Sequence, residues 1–308
     1  MLVVLSGGSG GAKLIEGLAG EIDPAELTII CNTGDDCVLH GLYISPDIDT
    51  VTYTLAGLID DAKGWGIKGD TFTALEQLGR LGADTWFRLG DKDLAMHITR
   101  TRLLSEGPSL SQVTEWLRKA LGVKATILSM SNDRVKTRIA TPTGEISFQE
   151  YFVKRRWADE VSGVTYAGAD QSRPAPGVLE AIRAARAIIV CPSNPITSIG
   201  PILAVPAIRS ALTKARAPVI GVSPIIGKYA ISGPAHKLMA AIGMEASALG
   251  VARAYWDIVN VFVVANEDQR LTAEIEESNI RAVATNIRMN SAADKRRLAR
   301  ELLALVEK

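Results

Sequence analysis

The first twenty residues place the strongest constraint on the fold of this 308-residue chain. Residues 2–5 (LVVL) are all apolar, which is typical of a strand that is buried on both faces of a sheet. A glycine-rich segment (SGGSGG) follows, and residues 12–20 then show helical apolar spacing, with Gly20 as the expected stop. The order of strand, glycine-rich loop and helix predicts the beginning of an α/β fold with a parallel sheet.

Later segments extend this pattern. Residues 27–31 (LTIIC) predict a second buried strand, which is expected to be parallel to the first because a helix lies between them. Residues 187–191, 218–223 and 258–265 predict further buried strands between helical stretches, and residues 290–306 predict a C-terminal helix. We therefore predict an α/β fold of the Rossmann-like type, in which helices flank a parallel sheet.

Residues 129–174 depart from the α/β alternation. Apolar and polar residues alternate on both sides of a TPTGE turn, a pattern that predicts a β-hairpin. We interpret 129–174 as an inserted hairpin or smaller subdomain, and 1–128 together with 175–308 as the Rossmann-like nucleotide-binding core.

Charge and hydropathy exclude several classes of partner. Lys and Arg number 34, as do Asp and Glu, so the formal net charge is zero. Nucleic-acid binding usually depends on a basic excess, so we expect no nucleic-acid partner. The apolar runs are too short to span a bilayer and MLVVLSGG does not have the pattern of a signal peptide, so we expect a cytoplasmic protein without membrane contact.

The glycine-rich segment is the first candidate binding site. Glycines permit close backbone approach, and the free N–H groups at a helix N-terminus attract phosphate. The glycine spacing matches neither the Walker pattern nor GxGxxG, and a purely structural turn with a solvated lysine is the alternative. The residues predicted to bind nucleotide phosphates are Gly7, Gly8, Ser9, Gly10, Gly11 and Lys13.

Polar residues also follow three other predicted strands. Asp35 and Asp36 in NTGDD suit a Mg²⁺ ion beside a diphosphate, although a capped turn is the alternative. Ser193 and Asn194 could contact a base or sugar, or could simply form a strand-end turn. With residues 222–228 (VSPIIGK), these loops should converge at the carboxyl edge of the sheet, where open parallel sheets bind ligands.

Two charged residues in the first third of the chain are further candidates. Arg88 lies in an aromatic and glycine-rich setting (WFRLGDKD) that suits an anionic or flat aromatic ligand, with a surface salt bridge as the alternative. Asp49 lies in SPDIDT, where Asp47 or Asp49 is expected to cap a helix. No spacing indicates a Ser/His/Asp or Cys/His catalytic group.

Together, these segments resemble the 2-phospho-L-lactate transferase family of coenzyme F420 biosynthesis over residues 2–268. The segments that carry the resemblance are SGGSGGAKL, NTGDD, SPDIDT, GWGIKGDTF, WFRLGDKDLAMH, FQEYFVKRR, CPSNPITSIGPIL and VSPIIGKYAISGPAHKLM. Each motif is weakly specific by itself, whereas the ordered set is specific.

The resemblance implies a reaction. The phospholactyl or phosphoenolpyruvyl group of lactyl-2-diphospho-5'-guanosine, or of its enolpyruvyl counterpart, would move to the ribityl hydroxyl of 7,8-didemethyl-8-hydroxy-5-deazariboflavin. The products would be coenzyme F420-0 and GMP, with Mg²⁺ as cofactor and a homodimer as the expected assembly. The alternatives are a nucleotide-sugar-binding regulatory protein of the same superfamily and an NAD(P)-dependent oxidoreductase, which the glycine spacing disfavours.

The resemblance also implies roles for individual residues. Asp49 and Arg88 would contact the deazaflavin, and the glycine-rich loop would hold the diphosphate. Ser193 and Asn194 would lie near the guanosine. The metal candidates are Asp35 and Asp36, and no general base is assigned.

Overall fold

Seven parallel strands form the central sheet of the computed structural model, which describes residues 1–231 and 233–306. In chain order, the strands are β1 (Leu2–Ser6), β2 (Leu27–Cys31), β3 (Cys37–Leu39), β4 (Leu42–Ile44), β5 (Thr126–Ser129), β6 (Lys136–Thr141), β7 (Gly144–Ser147), β8 (Gly163–Ala167), β9 (Ala187–Val190), β10 (Val219–Val222), β11 (Ile225–Ile226), β12 (Tyr229–Ala230), β13 (Val261–Ala265) and β14 (Arg281–Thr285). The helices are α1 (Gly8–Ala19), α2 (Pro46–Leu55), α3 (Thr73–Arg80), α4 (Asp91–Ser105), α5 (Leu110–Ala120), α6 (Val178–Ala184), α7 (Gly200–Ala204), α8 (Pro206–Thr213), α9 (Ala235–Ala241), α10 (Ala248–Ala254), α11 (Thr272–Glu276) and α12 (Ala292–Val306). A π-helical turn spans Glu150–Lys154.

The strand order in the central sheet is β14-β13-β10-β9-β1-β2-β5. β1 pairs in parallel with β2 on one side and with β9 on the other, and all its residues are buried. Alternate residues of β1 enter two apolar layers, since Val3 and Leu5 pack on one face of the sheet while Leu2 and Val4 pack on the other. The predicted Rossmann-like α/β fold is thereby confirmed, and its apolar strand sequences reflect burial on both faces.

Three local expectations were wrong. Helix α1 begins at Gly8, so most of the predicted glycine loop is the first turn of the helix itself. Ser45 occupies the N-cap position of α2, so Asp47 and Asp49 lie in its first turn and do not cap it. Strand β14 was not predicted because only part of it is buried at the edge of the sheet, which leaves no continuous apolar run.

The segment after β5 contains the predicted hairpin, formed by β6 and β7. A third strand, β8, pairs antiparallel with the other side of β6 and was not predicted. Ile139 of β6 and Ile146 of β7 belong to the same apolar cluster as Val3 and Leu5 of the central sheet. The proposed division of the chain at residues 129 and 174 stays a prediction. Across residues 1–231 and 233–306, no helix has the length and apolar character needed to cross a membrane.

Candidate active site

A cleft of about 790 Å³ opens at the carboxyl ends of the central strands. All four of the predicted strand-end loops contribute to its lining, with Gly8 after β1, Asp35 after β2, Ser193 after β9 and Pro224 after β10. The expectation that these loops converge is confirmed. The physical cause is the parallel sheet, which places the carboxyl ends of its strands at one edge.

The N-terminus of α1 forms one wall of the cleft. The backbone N–H of Gly8 donates a 2.7 Å hydrogen bond to Asp47 Oδ1. A side chain at Gly7 would place its Cβ 2.7 Å from Asp47 Oδ2 and 2.7 Å from Ser198 Cβ. At Gly10 a Cβ would lie 2.6 Å from the carbonyl oxygen of Pro192. Glycine is therefore required here by close approach of α1 to neighbouring loops.

The predicted phosphate-binding residues divide into two groups. Those that line the cleft are Gly7, Gly8, Ser9, Gly10 and Lys13. Gly11 is not among the lining residues; it is buried, and a Cβ there would overlap Ser6 Oγ and lie 2.8 Å from Ser193 Oγ. Gly11 thus allows close packing of α1 beneath the cleft, whereas the exposed Lys13 brings a cation to its rim.

Two buried carboxylates meet beside the N-terminus of α1. The Asn32 side-chain amide lies 3.1 Å from Asp35 Oδ2 and 2.8 Å from Asp47 Oδ2, so the two acids share one donor. Burial, followed by the charge of Asp47, raises the pKa of Asp35 well above its usual value. Burial also raises the pKa of Asp47 to about 6, although its hydrogen bonds from Asn32 and Gly8 oppose the shift. Within residues 1–231 and 233–306, no cationic side chain offsets the charge of this pair.

Asp36, the second metal candidate, faces a different neighbourhood. Its Oδ2 accepts hydrogen bonds from Ser45 Oγ at 2.8 Å and from Tyr43 Oη at 3.1 Å, and it does not line the cleft. Burial raises its pKa above the usual value. Adjacent residues of an extended or turning segment point in different directions, which sequence spacing alone could not resolve.

The carboxylates fit a magnesium ion only in partnership with a ligand. Among the residues that the structure describes, none donates a hydrogen bond to the buried Asp35 Oδ1, which leaves an oxygen ligand next to Asp47. In the described part of the chain, no group of three or more His, Cys, Asp or Glu side chains is arranged to hold a metal. A magnesium ion here would need further oxygen ligands from water or phosphate, as is usual for Mg²⁺.

Asp49 lines the cleft but is also part of a buried ion pair. Its two carboxylate oxygens accept hydrogen bonds from Nη1 (3.0 Å) and Nη2 of Arg100, which extends from α4. Sequence reasoning did not identify Arg100, because the two residues are separated by fifty positions and no local pattern links them.

A second buried network continues from this ion pair. His97 Nδ1 lies 3.3 Å from Arg100 Nη1, and His97 Nε2 lies 3.2 Å from Asp93 Oδ1. Tyr53 Oη donates a 2.5 Å hydrogen bond to the same Asp93 oxygen. Burial alone would raise the pKa of Asp93, but its contacts with His97 and Tyr53 outweigh that effect and lower it. Tyr53, Asp93 and His97 all line the cleft and were not predicted to do so.

Arg88 lines the cleft and is exposed, while its predicted contact with a ligand stays a prediction. Its guanidinium carbon stacks 4.3 Å from the centroid of the Phe72 ring, and Trp86 and Phe87 contact each other edge to face. Trp65 adds another exposed ring to the lining. This part of the cleft therefore presents aromatic faces and a cation to a ligand.

The FQEYFV segment contributes a second aromatic wall to the cleft. Phe148 and Phe152 stack with 5.3 Å between ring centroids, and Gln149 between them reaches into the cleft lining. Phe152 lies within the π-helical turn and Phe148 and Gln149 directly precede it; such turns occur frequently at functional sites. The π-helical geometry was not predictable from the hairpin-like alternation.

Ser193 and Asn194, in the loop after β9, offer different side-chain atoms to a ligand. Ser193 Oγ is buried in the lining without a hydrogen-bond partner. Asn194 Oδ1 accepts hydrogen bonds from the backbone N–H of Ile196 (2.9 Å) and Thr197 (3.3 Å), so its oxygen stabilises the turn. Only the amide end of Asn194 therefore remains for a ligand.

Comparison with known proteins defines the class and then the family. A UPF0052 family protein from Bacillus halodurans, known from its crystal structure, has the same fold, with a TM-score of 0.61, 18% identity and 98% of each chain covered. The chain is therefore a member of the Rossmann-like α/β class, with a cleft at the carboxyl edge of its sheet.

The family is shown by closer matches. The model of the family described as 2-phospho-L-lactate transferase CofD matches residues 2–304. A phosphoenolpyruvate transferase from Streptomyces griseus subsp. griseus is 45% identical, with 99% of this chain and 98% of that protein covered. A 2-phospho-L-lactate transferase from Methanocaldococcus jannaschii is 42% identical, with 98% and 97% covered. This chain belongs to the 2-phospho-L-lactate transferase family and is a transferase, which confirms the resemblance.

Proposed function

We propose that this chain transfers a phospholactyl or phosphoenolpyruvyl group from a guanosine diphosphate donor to the ribityl hydroxyl of 7,8-didemethyl-8-hydroxy-5-deazariboflavin. The products are GMP and coenzyme F420-0 or its enolpyruvyl counterpart. One observation carries the proposal: a single cleft joins a helix N-terminus and two buried carboxylates to a wall of aromatic rings with a cation. The first set of groups suits a diphosphate, and the second suits a planar heterocycle.

The reaction is a displacement at phosphorus. The acceptor hydroxyl oxygen forms a bond to the outer phosphorus of the donor while the bond from that phosphorus to the bridging oxygen breaks. The bridging oxygen and its electron pair leave with GMP, and the hydroxyl proton passes to solvent or to a carboxylate. Such reactions depend on positioning and charge stabilisation, so a protein nucleophile is unnecessary.

The donor phosphates would lie at the N-terminus of α1. The backbone N–H groups of Ser9 and Gly10 would support them there, with Lys13 as a cation at the rim, whereas the N–H of Gly8 is already bonded to Asp47. Ser193 Oγ, buried without a partner, is available as a hydroxyl donor, and the Asn194 amide would contact the guanosine or its ribose.

The buried carboxylates would hold the magnesium ion beside the donor. Asp35 and Asp47 are the better pair, because both line the cleft whereas Asp36 does not. When bound, magnesium supplies positive charge that neutralises the phosphate oxygens. Asp35 and Asp47 would be its protein ligands, and the Asn32 amide holds both carboxylates in place.

The acceptor would occupy the other part of the cleft. Arg88, with the exposed aromatic rings next to it, would face the deazaflavin ring system, and the Asp49 carboxylate would accept hydrogen bonds from the deazaflavin.

We also propose that the protein is cytoplasmic and that it acts as a homodimer. Light scattering of the purified protein at several concentrations would test the homodimer.

The test is a fluorescence-detected chromatographic assay. Purified protein, Mg²⁺ and the deazaflavin alcohol are mixed with lactyl-diphosphoguanosine or with enolpyruvyl-diphosphoguanosine, with and without EDTA. We expect a more anionic deazaflavin and GMP in equal amounts, lost with EDTA, and the faster donor identifies the transferred group. An Asp35→Asn preparation made in parallel excludes a contaminating activity. Tight nucleotide-sugar binding without turnover of either donor would instead support a regulatory binding protein.

A further inference from the structure

Arg100 is the largest fully buried side chain in the described structure, at 1% exposure, and it is charged. It extends from the third turn of α4 toward α2, and it does not line the cleft. Burying a guanidinium is costly unless it is paired, so its contacts have to compensate for lost hydration.

Those contacts converge on one carboxylate. Arg100 donates to both oxygens of Asp49, while its Nη1 also lies 3.4 Å from the Tyr43 carbonyl oxygen. A bidentate pair of this kind fixes the plane of the carboxylate as well as its position. An ionised carboxylate has about four acceptor sites, so a ligand in the cleft can use those that Arg100 leaves free.

His97 supports the pair from the side. An arginine nitrogen can only donate, so the 3.3 Å contact with Arg100 Nη1 favours His97 Nδ1 as acceptor, while His97 Nε2 lies 3.2 Å from Asp93 Oδ1. Asp93 is itself held by Tyr53. The guanidinium therefore has little freedom to rotate, and neither does Asp49.

We infer that Arg100 is a positioning residue, which never touches substrate but holds the Asp49 carboxylate in the orientation in which it binds the acceptor. A purely structural role is a weaker explanation, because buried ion pairs contribute little net stability compared with well-packed apolar side chains. The inference rests on the proposed function, in which Asp49 contacts the deazaflavin.

A double-mutant cycle on binding tests this inference. Deazaflavin affinity is measured by fluorescence titration, and GDP affinity by calorimetry, for Asp49→Asn, Arg100→Gln and the double variant. We expect each single change to weaken deazaflavin binding roughly 10- to 100-fold, since small displacements of positioning groups have effects of this size. The double variant should be no weaker than Asp49→Asn, and GDP affinity should stay within about twofold.

Two further variants separate positioning from folding. Arg100→Lys keeps the charge but loses the two-pronged contact, so we expect an affinity between those of the wild type and Arg100→Gln. Arg102→Gln, on the same helix and largely exposed, should bind deazaflavin like the wild type. If Arg100→Gln fails to fold, the deazaflavin affinity of the double variant still tests the inference by comparison with Asp49→Asn. The double variant should fold because neither buried charge remains unpaired in it.

The contradicting outcomes differ from those that would refute the function. The positioning role would be overturned if the double variant lost deazaflavin affinity by the product of the two single losses. It would also be overturned if a folded Arg100→Gln protein kept wild-type deazaflavin affinity. Absence of deazaflavin binding by the wild-type protein would overturn the proposed function itself.

Discussion

The two ends of the cleft are built from different kinds of contact. At the end proposed to bind the nucleotide, the N-terminus of α1 packs so tightly against α2 and the loop after β9 that Gly7 and Gly10 have no room for a methyl group. At the acceptor end, Trp65 and Arg88 are exposed side chains with space around them. Packing therefore fixes the nucleotide end, whereas the side chains of the acceptor end can adjust. We expect substitutions to cause large losses of ligand binding at the nucleotide end and smaller, graded losses at the acceptor end.

The largest effect is expected for the carboxylates at the nucleotide end. Asp35→Asn and Asp47→Asn should each lower the Mg²⁺-dependent rate roughly 100- to 1,000-fold, because charge stabilisation of the phosphates is lost. Asp36→Asn, which alters a carboxylate outside the cleft lining, should have a much smaller effect. Initial rates at several Mg²⁺ concentrations measure the difference. A larger rate loss for Asp36→Asn than for Asp35→Asn and Asp47→Asn would identify Asp36 as the metal ligand.

Gly10→Ala tests the tight packing directly. A Cβ there meets the Pro192 carbonyl oxygen, so we expect a stability loss of about 1–3 kcal/mol. GDP affinity should fall roughly 100-fold, since the phosphate-binding backbone is displaced. Gly20→Ala at the other end of α1 is the matched control, because its nearest contact would be 3.4 Å away. Equal behaviour of the two variants in calorimetry would show that the nucleotide end is more plastic than proposed.

The paired carboxylates should also make metal binding depend on pH. In the metal-free protein, the raised pKa values of Asp35 and Asp47 mean that protonation of the pair is stabilising at low pH. The contribution of Asp47 is lost as the pH rises through its pKa of about 6, and that of Asp35 is lost as the pH rises through its own raised pKa. A bound cation offsets this loss of stability only when the two carboxylates are ionised, because it binds their negative charge. At a hundredfold excess over its dissociation constant, Mg²⁺ should thus stabilise the protein by about 2.7 kcal/mol at pH 8 and by far less at pH 5.

Thermal unfolding with Mg²⁺ or EDTA across this range checks the prediction. Asp35→Asn serves as the control, since it should remove most of the metal-dependent shift. A Mg²⁺ effect that is constant from pH 5 to 8 would contradict metal binding by this pair.

At the acceptor end, Arg88→Ala should produce a graded loss. The exposed guanidinium stacks on Phe72, and such cation–π contacts are worth about 0.5–1 kcal/mol, so a roughly tenfold or smaller rise in the deazaflavin KM is expected. GDP affinity should stay unchanged, as should the affinity of an Arg80→Ala control for both ligands. A comparable weakening of deazaflavin and GDP binding would show that Arg88 contributes to the binding of both ligands.

The smallest effect is expected for Lys237, which lies behind the second aromatic wall. Its ammonium group donates to the backbone carbonyl oxygens of Trp157, Ala158 and Asp159, which follow the FQEYFV segment by four to six residues. Lys237→Met should lower stability by about 0.5–1.5 kcal/mol and raise the deazaflavin KM modestly. The exposed Lys214 provides the matched Lys→Met control, and an unchanged Tm for Lys237→Met would contradict this bracing role.

Much of the fold followed from local patterns. The apolar runs of β1, β2, β9, β10 and β13 predicted buried parallel strands, because burial on both faces leaves no room for polar alternation. Those strands also predicted where the binding loops meet. Strands β8 and β14 escaped prediction because they are partly exposed edge strands without a continuous apolar run, and their existence depends on a neighbour to pair with.

The sequence by itself determined the strand–glycine–helix opening, the α/β order and the family, since these depend on residue type and local spacing. Only the tertiary structure decided which side chains act together. It paired Asp35 with Asp47 instead of the adjacent Asp36, and it joined Asp49 to Arg100 across fifty residues. The physical reason is that a pairwise contact depends on how helices pack over the sheet, and no short stretch of sequence contains that information.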